Sequence, residues 1–163
     1  MSTPRNMAEK PGRKQSPAYE NVKNQLAYCG LWCGSCLVGN GTVNRLARDC
    51  RKAIKDYGVS EWGPTEVDYG VLLKGLATIG AMNPCPGCLK GGGRTDCEIR
   101  ACAVSKRVVE CVDCKESKGC TNVKIISYMR RGAKRVGMKV KDRAGDRSKV
   151  LREWQDEATG SRD

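Results

Sequence analysis

The sequence predicts a small α-rich domain with irregular cysteine loops held by metal, and few or no strands. Three observations lead there. Of 163 residues only 39% are hydrophobic and 5% aromatic, thin for an ordinary core of this length. Eleven are Cys, about 7% of the chain, so cross-links or metal ligands must replace part of that core. Apolar residues recur at helical spacing, and runs with the character of buried strands are missing.

Taken in order, residues 1–17 are polar and carry Pro4, Pro11, Gly12 and Pro17, which reads as a disordered basic arm. Residues 18–123 form the expected cysteine-rich domain. Its first element is a short helix over 18–28, AYENVKNQLAY. A clearer helix covers 43–57, with Val43, Leu46, Ala47, Cys50, Ile54 and Tyr57 on one stripe and Arg45, Arg48, Arg51 and Lys52 off it. Thr42 is its expected N-cap and Gly58 its stop. A second helix is expected over 66–79, with Thr65 and Asp68 resembling a capping box and Tyr69, Leu72, Leu73, Leu76 and Ile79 on its apolar side. These two helices are expected to form the only conventional hydrophobic core.

From 85 to 120 the texture changes: seven Cys fall in 36 residues, too few large apolar side chains accompany them, and something must bind the sulfurs. The Gly91–Gly92–Gly93 run reads as a flexible connector, and a helix over 98–107 carries Cys102. Residues 124–163 read as a basic, partly helical tail. Within 124–152 there are 11 Lys/Arg against two Asp, a net of +9 out of +12 for the whole chain. Val123, Ile125, Ile126, Tyr128 and Met129 are suited to dock its start, and a last helix over 147–158 places Val150, Leu151 and Trp154 on one side.

The absence of His excludes Ser-His and Cys-His catalysis, two-Cys two-His zinc sites and the His-containing metalloprotease motif. The first residues contain no apolar stretch of the about 7–15 residues a secretory signal needs, and no run approaches the ~18–20 that span a membrane. The expectation is a cytoplasmic protein without a membrane segment. In that reducing setting, clustered Cys point to metal or redox chemistry rather than structural disulfides.

The cysteines fall as Cys29-x3-Cys33-x2-Cys36, Cys85-x2-Cys88, Cys97-x4-Cys102, Cys111-x2-Cys114 and Cys120. Two thiolates two residues apart hold one ion from a tight turn, and CGSC, CPGC and CVDC supply three such steps. Cys50 stands alone on the apolar stripe and is expected to pack as a small hydrophobe. Zinc and the usual [4Fe–4S] cluster each take four ligands, so the remaining ten give two fours with two left over. The favoured grouping joins Cys85, Cys88, Cys97 and Cys102. A second site then takes Cys111, Cys114 and Cys120 with one of Cys29, Cys33 or Cys36.

Other chemistries fit less well. The CxxxCxxC at Cys29 has the spacing of radical S-adenosylmethionine enzymes. The chain is too short and strand-poor for their barrel, and Ser35 stands where they carry an aromatic residue. CGSC has an oxidoreductase spacing without the βαβ context. No GxxxxGK[ST] phosphate loop occurs.

The segments Tyr28-Cys-Gly-Leu-Trp-Cys-Gly-Ser-Cys36, CPGC at Cys85, CEIRACA at Cys97 and CVDC at Cys111 resemble a cysteine-rich domain-of-unknown-function family, number 3795. The resemblance covers about residues 27–121. It implies that all ten cysteines bind metal, commonly zinc, and brings no reaction with it. The family often places Pro after the third Cys and before the last. Here those positions hold Leu37 and Gly119.

The leading expectation is a zinc-stabilised binding module whose basic segment, 124–152, contacts an acidic protein or nucleic acid, with Tyr128 and Trp154 available to stack on bases. The alternative is an iron–sulfur protein in electron transfer or catalysis, since soft thiolates suit both. A third reading, a catalytic thiol, needs a Cys of low pKa beside a cation such as Lys90, Arg100, Lys106 or Lys115.

Overall fold

The computed structural model describes residues 22–160. The arm at 1–17 and the first four residues of the 18–28 element lie outside them. Among the described residues there are six α-helices, four single turns of 3-10 helix and no strand. The helices are α1 (Thr42–Asp56), α2 (Val59–Trp62), α3 (Tyr69–Gly80), α4 (Glu98–Ser105), α5 (Val123–Arg135) and α6 (Arg147–Thr159). None is long and apolar enough to cross a membrane.

In the described part of the expected 18–28 helix Val22 is helical, and the chain then leaves the helix and enters a tight reversal. Leu26 and Trp32 pair as an isolated antiparallel bridge, and Gly30 N–H donates to Ala27 C=O at 2.8 Å. Gly30 makes this possible. Its φ is +90°, and a Cβ there would stand 2.1 Å from the Lys141 carbonyl oxygen. The Lys141 N–H donates to Gly30 C=O at 2.8 Å, so two backbones run in contact.

Helix α1 starts one residue before its expected range. Gly41, with φ +74°, is its N-cap, and Thr42 is its first residue. Helix α3 begins three residues later than expected. Asp68 is itself the N-cap, its carboxylate accepting from the Val71 N–H at 2.9 Å, which leaves residues 66–68 outside the helix. Helices α4 and α6 form close to their expected spans, and Asp146 caps α6 by accepting from the Ser148 and Lys149 N–H groups.

The α1–α3 pair is not the main hydrophobic core. It is a helical hairpin pinned by polar contacts. Asn44, buried on α1, donates through Nδ2 to the Ile79 and Met82 carbonyls at 3.1 and 2.7 Å, and Arg48 donates to Gly80 C=O at 2.7 Å. These groups supply donors to the carbonyls at and just beyond the C-terminus of α3, where the helix runs out of N–H groups of its own. The contact face is thereby shifted around the helix from the apolar stripe: Ala47 is buried, whereas Leu46 is half exposed and Cys50 is exposed rather than packed.

The apolar core lies elsewhere, in two adjoining clusters. Leu26, Trp32 and Leu151 form one, with Trp154 stacked obliquely on Trp32 at 5.8 Å between ring centroids. Ala27, Cys29, Ile99 and Ile126 form the other, flanked by Leu31, Met129 and several cysteines. Burial of residues such as Leu26 and Leu151 contributes about 1.5–3 kcal/mol each. Both clusters take side chains from α5 or α6, so much of the segment read as a basic tail is folded against the cysteine-rich part. Leu31 and Val140 pair as a second isolated bridge, and Trp32 N–H donates to Lys139 C=O at 3.0 Å.

Candidate metal centre

Two of the CxxC steps lie on single 3-10 turns, Cys33–Ser35 and Cys111–Asp113. In each, the N–H of the second cysteine donates to the carbonyl of the first, Cys36 to Cys33 at 3.1 Å and Cys114 to Cys111 at 3.4 Å. A 3-10 turn stacks the side chains at i and i+3, so the two sulfurs share one side. A further turn, Ser117–Gly119, delivers Cys120. The CPGC step differs, because its turn, Cys88–Lys90, begins at the second cysteine. Cys97 caps α4 and Cys102 rides on that helix.

The glycine run after CPGC is anchored at its centre, with Gly92 packed and Gly91 and Gly93 exposed. Gly92 is buried, its N–H donates to Gly87 C=O at 2.9 Å, and a Cβ there would stand 2.7 Å from the Cys85 sulfur. Arg100 on α4 secures it by donating to the carbonyls of Gly92 at 2.8 Å, Arg94, and Thr95 at 3.3 Å. Nothing in the sequence distinguishes Arg100 from the other cations for this role.

All ten expected cysteines are free of disulfides, and they adjoin one another: six lie in or against one apolar cluster, four line one cavity, and Cys36 and Cys85 lie near Cys33. Burial first raises the Cys33 thiol, and the neighbouring Cys88, Cys36 and Cys85 sulfurs add to a pKa of about 11. Burial likewise pushes Cys29 up, reinforced by Cys88 and Cys97. Cys111 reaches about 11 through burial and then the charge of Cys29 and Cys120, with Cys102 also contributing. Cys102, Cys111, Cys114 and Cys120 line one cavity of about 250 Å³. Cys102 thus shares a cavity with Cys111, Cys114 and Cys120, Cys33 lies near Cys36, Cys85 and Cys88, and Cys29 and Cys88 each lie near Cys97. The cause is tertiary: Cys111 N–H donates to Tyr28 C=O at 2.7 Å, which sets the third CxxC beside the first cysteine segment. Among the described residues, no three His, Cys, Asp or Glu side chains close into metal-holding geometry.

The catalytic-thiol reading gains no support. Cys88 is raised by burial even though the Tyr28 N–H and the Arg100 guanidinium pull it down. Lys106 is engaged by Glu116.

Sequence reasoning missed a buried ionic knot beside the zone. Glu110, next to Cys111, is 2% exposed and pairs with buried Lys141 and, at 3.0 Å, with Arg147 of α6. Arg130 of α5 donates to Cys29 C=O at 2.8 Å. These residues carry no local signal, because their partners lie 31, 37 and 101 positions away.

A family model described as protein of unknown function, DUF3795, matches residues 25–125. No curated protein and no solved structure matches the chain.

Proposed function

The chain belongs to the DUF3795 family, and we propose that it is a thiolate metal-binding module, zinc-stabilised, whose metal supplements a small apolar core. The observation that carries this is the gathering of ten disulfide-free thiols, from separate segments between 29 and 120, in one zone. The donor set fits the group: soft sulfur ligands without any imidazole suit zinc or iron–sulfur. Ligation would require the side chains to rotate inward about χ1, since they do not yet converge on one point.

When bound, zinc supplies coordination bonds to deprotonated sulfur, and that binding energy is folding energy. The chain's own residues do the remaining work. The 3-10 turns pair the thiols, Arg100 holds the glycine turn over Cys85 and Cys88, and the Glu110 knot fixes the strand of chain that enters Cys111. The reading sets the protein in the cytoplasm, where thiols stay reduced, and gives its cationic surface an acidic partner.

Anaerobic purification followed by elemental analysis and an absorption spectrum tests it. The expected result is a colourless protein with about two zinc ions per chain on four-ligand counting. A brown protein containing iron would replace zinc by an iron–sulfur cluster. Native protein holding neither element would overturn the metal reading.

A further inference from the structure

Helix α5 has two unlike sides. Ile126 and Ala133 are buried against the domain. On the opposite side Lys124, Tyr128, Arg131 and Arg135 recur at i, i+4, i+7 and i+11, which at 3.6 residues per turn keeps them within about 60° of each other. All four are exposed, Tyr128 by 70%. The stripe runs for about 16 Å at 1.5 Å per residue.

Folding consumes much of the charge counted in the sequence. Lys134, Lys139, Lys141 and Arg147 each face a carboxylate, and Arg130 holds a backbone carbonyl. The three cations of the stripe have no ion-pair partner among the described residues. Trp154, the other aromatic candidate for stacking, is spent on Trp32. Tyr128 therefore stands open between cations that have no ion-pair partner among the described residues.

Beside the stripe runs an open groove of about 770 Å³ between α5 and residues 94–99, with Lys124, Tyr128 and Arg131 on one side. Ile99, Val123 and Ile125 give it apolar lining. Of its two carboxylates, Asp96 is paired with Arg94 at 2.9 Å, leaving Glu98.

We propose that this side of α5 is a docking strip for single-stranded nucleic acid, with Lys124, Arg131 and Arg135 against phosphates and Tyr128 stacked on an unpaired base. The cations are spaced along a line, as a phosphodiester backbone requires. The ring between them offers a flat face that a base fills and an acidic peptide does not. A duplex keeps its bases stacked on one another and cannot use the ring. Such binding is sequence-tolerant, because phosphates carry no sequence information and every base has a π-face. The inference rests on the binding-module part of the proposed function and not on the identity of the metal.

The test is fluorescence anisotropy of the full chain with a labelled single-stranded oligonucleotide of about 12 nucleotides. The matching duplex and polyglutamate serve as competitors. Three phosphate contacts give a log–log salt slope of about −2, roughly a 20-fold fall in affinity between about 50 and 200 mM salt. Tyr128→Ala should weaken binding about 5- to 150-fold at an unchanged slope. The triple substitution Lys124→Ala, Arg131→Ala, Arg135→Ala should remove the slope, whereas Lys149→Ala with Arg152→Ala on α6 should leave binding intact. Circular dichroism and metal content, measured on each sample, separate this result from the metal reading. Oligonucleotide binding by metal-free native protein would sink the metal and keep the strip. No binding at low salt, full retention by Tyr128→Ala, or stronger competition by duplex or polyglutamate would overturn the strip.

Discussion

Glu110 shows how one side chain ties three distant segments. Its carboxylate is almost fully buried, with Lys141 against one oxygen and Arg147 against the other. Removing Glu110 leaves buried Lys141 with only the more distant Asp113 carboxylate at 3.9 Å, and breaking a buried pair costs about 3–5 kcal/mol. Glu110→Ala is therefore expected to lower the free energy of unfolding by that amount, measured by chemical unfolding. A loss within the range of an exposed pair would show that water reaches the knot. The thiols give a pH prediction at the same scale. In the metal-free protein Cys33 and Cys111 titrate near 11 against an ordinary value of 9.0. Protons are then held more tightly folded than unfolded, so their contribution is full below pH 9.0 and is lost as pH rises toward about 11. Metal-free protein should lose stability through that window. Metal-loaded protein, its thiolates already deprotonated, should instead weaken on acidification as protons displace the metal. Stability of metal-free protein that is flat between these pH values would contradict the burial of these thiols.

At the scale of elements, the α1–α3 hairpin and the cysteine zone are held by different forces. The hairpin depends on Asn44 and Arg48 reaching the carbonyls at the end of α3. Asn44→Ala leaves the Met82 carbonyl without its side-chain donor, while Ile79 C=O keeps the Met82 N–H at 3.2 Å, a cost of about 1–3 kcal/mol. Hydrogen exchange should rise in 42–56 and 69–80 and stay unchanged in 97–120. A uniform rise along the chain would mean that the two parts unfold as one. The helices were legible because α1, α3, α4 and α6 each carry apolar spacing or a capping residue such as Asp68 or Asp146. The face that α1 turns inward was not legible, because Asn44 and Arg48 satisfy carbonyls 32 to 38 positions away and hydrophobicity does not report that demand.

For the whole molecule, the described residues bury few large apolar side chains, with Trp32, Leu26 and Val22 the largest that are fully enclosed. If thiolate ligation makes up the difference, chelation or Cys88→Ser should loosen 85–120 while α1 and α3 keep their protection. Exchange in 85–120 that is indifferent to both treatments would remove the cysteines as its support. The same balance explains the role of α5 and α6: Ile126, Leu151 and Trp154 supply apolar mass that residues 22–120 do not provide alone.

The amino-acid order by itself determined the helical character, the paucity of core, and the ten-cysteine pattern with its CxxC turns, because these are local properties of composition, period and spacing. Tertiary structure decided which cysteines meet, that Gly92 packs on Cys85, that Cys50 faces outward, and which cations remain unpaired. Each of these depends on a partner far along the chain. Cys111 finds Tyr28, Lys141 finds Glu110, and Arg130 finds Cys29 only once the 26–32 reversal and the 139–141 segment lie side by side. Periodicity records what a residue prefers to be near, water or oil, and long-range hydrogen bonds and ion pairs then choose among the arrangements that satisfy it.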